Sequence, residues 1–215
     1  MRKGGRPQAP KPPLSYPIQT MTPTLEGPRL RLEPLTLAHL PALEEIAFDD
    51  RNWRFMRIWI KTRDDLRRWV ETALQGEADG TLVPWATILK QENRVIGSTR
   101  LHDLDTANGT VEIGTTWLAP AYHGTGLNPE AKLLQLDYAF DTLKLHRVAF
   151  KTHHENLQSQ AALRKLGATY EGTFRNHYLM PDGSHRHSVW FSIIREEWPE
   201  VRTRLTARLT QNQST

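Results

Sequence analysis

The sequence predicts a mixed α/β domain in which helices cover a central sheet. Three observations carry that expectation. Short apolar or alternating segments of strand type are interleaved with segments that repeat apolar residues at helical spacing. Cap and turn residues stand at the junctions: Thr36, Thr62, Asn156 and Gly167. The chain has 215 residues, 38% of them hydrophobic, with seven Trp. That is enough for one sizeable core, and no apolar run approaches the ~18 residues of a membrane span.

The elements follow in order. Leu30–Leu35 alternates as a strand. Thr36 caps a helix whose stripe is Leu37, Leu40, Leu43, Ile46 and Ala47. Thr62 and Asp65 have capping-box spacing ahead of the face Leu66, Trp69, Val70, Ala73 and Leu74. Trp85–Leu89 and Val95–Leu101 are strands joined by the polar turn Lys90–Arg94. After the turn Asp105–Gly109, Val111–Leu118 is the fourth strand, and its unbroken apolar and Thr content suits a central position. Asn128 is read as an N-cap with Pro129 at the first helical position, and Glu130 suits the positive end of the dipole. That helix carries Leu133, Leu134, Leu136, Tyr138, Ala139, Phe140 and Leu143. Arg147–Thr152 is a fifth strand. Asn156 opens a helix that closes at Gly167. Thr169–Phe174 and Ser188–Ile194 are strands, with the turn Pro181–Ser184 before the last.

Residues 1–28 hold seven of the fourteen prolines and read as a basic, disordered tail. Met21 offers a second translation start. A single domain is expected over 29–210, with a polar tail at 211–215. Arg2, Lys3, Arg6 and Lys11 create the net charge of +4. Without those four, the 28 basic residues fall to 24 and match the 24 acidic ones. A basic face for nucleic acid is therefore not indicated. The basic N-terminus lacks an apolar segment of signal-peptide length, so cytoplasmic residence is the default expectation. Cysteine is absent, which excludes disulfides, thiolate–metal sites and an acyl-cysteine relay.

The richest segment runs from Trp117 to Lys132. An apolar strand enters a glycine-punctuated turn, and the turn opens into a helix. Such a junction directs several backbone N–H groups at one point, the natural seat of a phosphate. The Walker A spacing is missing. The dinucleotide fingerprint fails because Pro129 stands where its third glycine belongs. An ordinary glycine turn before a helix is the plain alternative.

The turn resembles the Gln/Arg-x-x-Gly-x-Gly/Ala motif of the Gcn5-related N-acetyltransferase (GNAT) superfamily. His123 takes the first position, Gly126 is the essential glycine, and Asn128 replaces the final Gly/Ala. The resemblance extends over residues 29–198. Asn156-x-x-Ser159, followed by Lys165-Leu166-Gly167-Ala168, is similar to the second cofactor motif. Glu171–Arg175, Pro181-Asp182-Gly183 and Val189–Ile193 resemble the RimJ/RimL-like branch, which acetylates protein N-termini and small amines.

The resemblance implies a mostly antiparallel twisted sheet whose fourth and fifth strands splay, with helices on both faces. It implies acetyl-coenzyme A (acetyl-CoA) as co-substrate, no metal, and a primary amine as acceptor. The partners expected are these two molecules, with neither nucleic acid nor membrane, and a homodimer is left open. Backbone N–H groups of Gly124, Thr125, Gly126, Leu127 and Asn128 would hold the pyrophosphate. His123 would touch phosphate or shape the turn. The pantetheine would lie along the strand edge at Trp117–Leu118, and Asn156 would cap its helix and contact cofactor or substrate.

Glu112 is the candidate base, acting through water; the competing reading is a strand carboxylate paired with a neighbouring cation. Many superfamily members place a Tyr seven residues after the Asn, where this chain has Leu163. Ser159 resembles the serine used instead, a proton relay or donor to sulfur; alternatively it is a first-turn hydroxyl bonded to backbone. Trp53, Phe55 and Trp59 lie where the family's acceptor cleft is walled, among arginines able to receive a peptide N-terminus or an acidic small molecule. The alternative for them is core and rim. His177, His185 and His187 read as surface or stacking residues rather than a zinc site. A turnover-free acyl-CoA binding module, or an interaction protein working through the proline-rich arm, are the rival functions.

Overall fold

The computed structural model describes residues 22–211. Eight strands form one sheet: β1 (Leu25–Glu26), β2 (Leu30–Pro34), β3 (Leu82–Leu89), β4 (Arg94–Asp105), β5 (Thr110–Leu118), β6 (Arg147–His153), β7 (Thr169–Leu179) and β8 (His185–Ile194). Their spatial order is β1-β2-β3-β4-β5-β6-β8-β7. Every pairing is antiparallel except β5 with β6.

Helices α1 (Leu40–Ala47), α2 (Asp50–Trp53) and α3 (Arg63–Ala78) cover one face. Helices α4 (Leu127–Asp137), α5 (Leu157–Leu166) and α6 (Trp198–Gln211) cover the other. Strand alternation divides the core accordingly. Trp85 and Leu118 belong to the α4–α6 side, while their neighbours Ala86 and Trp117 belong to the α1–α3 side. The expected mixed α/β architecture, with helices on both faces, is the one found.

The splay sits where the resemblance places it. β5 pairs with β6 only through Thr110↔Arg147, Val111↔Val148 and Glu112↔Ala149. Past Glu112, β6 stays with β8 and β5 stays with β4. A register shift between Ser98 and Arg100 of β4 marks an irregularity facing Thr115, whose φ is +47°. A β-branched residue is held there against its steric preference. An extra residue of this kind bends and twists its strand, which helps carry β5 away from β6.

Several local expectations shift. Residues 22–28, assigned above to the tail, are part of the fold: Leu25 and Glu26 pair with Leu32 and Arg31, and Trp85 Nε1 donates to Pro23 O at 2.7 Å. The tail at 1–20 and the start at Met21 lie outside the described residues. Thr36 opens a 3-10 turn (Leu37–His39) before α1. β7 and β8 are longer than expected, because the hairpin turn at Gly183 (φ +82°) lets both strands continue to it. The α6 helix was not foreseen, although Trp198, Val201, Leu205 and Leu209 form its buried stripe.

Candidate active site

The glycine turn and α4 make the first half of the site. Gly126, with φ +81°, is the N-cap, and α4 begins at Leu127. Asn128 is therefore inside the first turn and not the cap expected from sequence. A left-handed glycine caps without any side-chain bond, so the polar residue was not needed. Asn128 Oδ1 is buried without a partner. Gly124 is also left-handed at φ +77°.

Two interactions fix which way this turn faces. Arg29 donates to Thr125 O at 3.2 Å and Gly126 O at 2.9 Å. Its Nε meets Glu130 Oε2 at 2.9 Å, while the backbone N–H groups of Arg29 and Leu30 donate to Glu130 Oε1. Glu130 is thus a buried anchor rather than a dipole partner alone. With the carbonyls of Thr125 and Gly126 turned back onto Arg29, the amides of Gly124, Thr125 and Gly126 make no hydrogen bond among the described residues. The first N–H groups of α4, including those of Leu127 and Asn128, lack intrahelical acceptors by construction. A diphosphate fits this set of donors.

His123 shapes the turn: its Nε2 donates to Leu118 O at 2.9 Å. Trp117 and Leu118 are core side chains, 4% and 5% exposed. Only their backbone faces the gap left by the splay. Gly97 permits the close approach of β4 on the other side, since a Cβ there would lie 2.0 Å from Trp117 O.

At the fork itself stands Glu112. It occupies the last paired position and is 6% exposed. Lys151 Nζ lies 2.8 Å from its Oε2. A Cβ on Gly114 would come within 2.9 Å of Oε1, so the carboxylate leans along β5 toward the open edge. Burial pushes the Glu112 carboxyl up, and the Lys151 ammonium only partly opposes it. For Lys151, burial works downward, but the Glu112 carboxylate wins and the ammonium is held above its ordinary value. Across the ladder, His102 pairs with Glu112 in register, and its Nε2 bonds Thr115 Oγ1 at 2.8 Å. Burial, followed by the charge of Arg100, lowers His102 to about 4, so it is neutral at pH 7.

On the opposite lip, Asn156 Oδ1 accepts from Ser159 N at 3.0 Å and caps α5. Ser159 Oγ makes no hydrogen bond among the described residues, which leaves it available. Leu163 is a buried core residue. Of the three acceptor-wall candidates, Trp53 is a correction. It is 1% exposed, bonds Ala47 O through Nε1, and packs on Trp69 and Trp117 with centroids 6.0 and 5.1 Å away. Its place is the core, because the α1–α3 layer needed a large filler against the sheet. Phe55 is half-buried with its ring 5.4 Å from that of His153 at the end of β6, and Trp59 is half-buried with its Nε1 unpartnered.

Sequence reasoning missed Lys151, Arg186, Arg100 and Tyr178. A signal was present for two of them: Arg100 and Lys151 are each flanked on both sides by uncharged strand residues, Ser98-Thr99 with Leu101 and Ala149-Phe150 with Thr152. The His187 ring lies 4.5 Å from that of His154 and the His177 ring 3.9 Å from that of Tyr178, both tilted, while His185 is exposed. No set of three metal-ligating side chains occurs among the described residues.

The Acetyltransferase (GNAT) domain profile matches residues 29–169. The chain belongs to the GNAT acetyltransferase family. Members of this GNAT family are acetyl-CoA-dependent N-acetyltransferases. A GCN5-related N-acetyltransferase from Brucella melitensis superimposes with a TM-score of 0.81 at 29% identity, covering 87% of this chain and 86% of that one. YdaF of Bacillus subtilis (strain 168), provisionally named a ribosomal N-acetyltransferase, is 34% identical over 110 residues. That match takes in 51% of this chain and 59% of YdaF. Spermidine N(1)-acetyltransferase of Escherichia coli (strain K12) is 28% identical over 81 residues, 38% of this chain and 43% of the relative. The chain thus spans about half the length of these two curated relatives. No helix among the described residues is long and apolar enough to cross a membrane.

Proposed function

We propose that this GNAT protein acetylates a primary amine, a protein N-terminus or a small molecule, by direct attack within a ternary complex. The observation that carries the reading is the continuity of the two half-sites. Outward amides at Gly124–Asn128 lie at one end of an open strand edge, and a buried carboxylate at Glu112 lies at the other.

Acetyl-CoA supplies an activated acyl group. The amides of Gly124, Thr125, Gly126, Leu127 and Asn128 would hold its diphosphate, and the unpaired edge of β5 through Trp117 and Leu118 its pantetheine. The acceptor enters as an ammonium, with a pKa near 8 for an α-amino group or about 10 for a side-chain amine. Glu112 takes one proton, through a water molecule, and exposes the lone pair. Burial raises its basicity for that task. A bond then forms between the amine nitrogen and the acyl carbon, the carbon–sulfur bond breaks, and the nitrogen loses its second proton. Ser159 donates a hydrogen bond to the departing sulfur or relays a proton to it, so that coenzyme A leaves as the thiol. One proton is released overall. Asn156 holds the N-terminus of α5, and with it Ser159, at the lip.

Purified protein assayed for thiol release against a panel of amines tests this reading. Glu112→Gln is expected to lower kcat by about a hundredfold and Ser159→Ala by about tenfold, both with coenzyme A affinity retained. Activity indifferent to both changes would remove these two roles.

A further inference from the structure

The acceptor side of the fork carries more positive than negative charge. Arg186, on β8, is 6% exposed. Its Nη1 reaches Phe55 O at 3.2 Å, yet its Nε is buried with no partner. The guanidinium lies 6.0 Å from the ring centre of Tyr178. Arg57, exposed in the loop after α2, lies over the same ring at 4.1 Å, and Lys151 Nζ lies 5.5 Å from it. Arg100 is buried on the same face, with its Nε also unpartnered and its Nη2 on Trp69 O.

Three cations, Arg57, Lys151 and Arg186, therefore converge on Tyr178, and the nearby carboxylates are Glu112 and Asp103. Glu112 is taken by Lys151. Arg57 and Arg186 repel one another, and that repulsion, after burial, lowers Arg186. Two guanidiniums flanking one phenol, neither of them paired with a carboxylate among the described residues, suit an anion. An open cavity lined by Phe174, Arg175, Asn176, His177 and His187 adjoins through the contact of the His177 ring with Tyr178 at 3.9 Å.

We infer that the acceptor is an amine that also bears a carboxylate, held by Arg57 and Arg186 beside Tyr178 while its amino group reaches Glu112. This rests on the acetyl-transfer reading above and narrows its acceptor. The site disfavours polyamines, because a second ammonium would meet the positive charges of Arg57 and Arg186.

The test compares matched amines. One pair is 3-aminopropanoate against propylamine. A second is a short peptide with Glu at its second position against the same peptide with Gln. Spermidine is the polycationic control. The carboxylate member is expected to show kcat/KM at least about tenfold higher, and the pair with the larger ratio separates a free amino acid from a peptide N-terminus. Arg57→Gln, at an exposed position, is expected to move that ratio toward one, and Arg186→Lys tests the buried fork. Calorimetry with the acetylated product, 3-acetamidopropanoate, on the coenzyme A complex gives a second readout: saturable binding lost in Arg57→Gln is expected. Equal or better turnover of the uncharged amine or spermidine overturns the inference, as does absence of carboxylate binding to a complex that has bound coenzyme A. Failure to bind coenzyme A at all would instead remove the acetyl-transfer reading beneath it.

Discussion

Glu130 of α4 and Arg29, at the entry to β2, form an ion pair at 2.9 Å that ties the glycine turn to the far edge of the sheet. The same carboxylate accepts from two backbone N–H groups, and the same guanidinium donates to two turn carbonyls. The pair therefore decides which way the turn's amides point.

Glu130→Ala leaves Arg29 and two backbone donors without their acceptor. The expected cost is about 3 kcal/mol of stability, measured by denaturant unfolding. Coenzyme A affinity should fall with it. Glu130→Gln, which keeps an acceptor oxygen, should recover most of the stability and part of the affinity.

Gly126→Val places a β-branched residue at φ +81°. The conformational strain alone is about 1–2 kcal/mol, and a side chain would stand over the amides. Calorimetry should record a sharp loss of coenzyme A binding. Unchanged affinity would reject the assignment of the turn to the diphosphate.

His102 makes stability depend on pH. Its folded pKa, lowered by burial to about 4, lies below the ordinary 6.5. The unfolded chain thus binds the proton more tightly. The stabilisation is complete above pH 6.5 and is lost as pH falls from 6.5 toward 4, to a total of about 3 kcal/mol. His102→Gln should flatten that part of the unfolding profile while leaving the profile above pH 7 almost level with wild type in slope.

Lys132 is buried in the layer between α4 and the sheet. Its Nζ donates to Thr116 Oγ1 at 2.7 Å and Gln135 Oε1 at 3.1 Å, and burial lowers its pKa to about 7. The unfolded ammonium holds its proton up to 10.5, so folded stability falls as pH drops from 10.5 toward 7. Lys132→Met is expected to stabilise the protein by about 2 kcal/mol at pH 6 and by much less at pH 10. Unfolding at those two values checks the sign.

Much of this architecture could be read from the chain because its signals are local. The capping pair Thr62–Asp65, the left-handed Gly167 and the cap at Asn156 each act within one turn of helix. Apolar alternation placed most of the strands for the same reason. The α6 stripe was equally local and went unread. Trp53 shows the limit: a Trp beside arginines has the same composition whether it lines a cleft or fills a core, and its packing on Trp69 and Trp117 came from residues distant in sequence.

The sequence by itself determined a mixed α/β domain, a glycine turn able to meet phosphate, and the exclusion of cysteine chemistry. Those follow from backbone preference and residue inventory, which neighbours along the chain suffice to express. Tertiary structure alone decided that Arg29 and Glu130 aim the turn, that Glu112 faces Lys151 at the fork, and that Arg57 and Arg186 share Tyr178. Electrostatic pairing and burial depend on distance in space, and Arg57 and Arg186 meet only because the sheet folds one end of the chain onto the other.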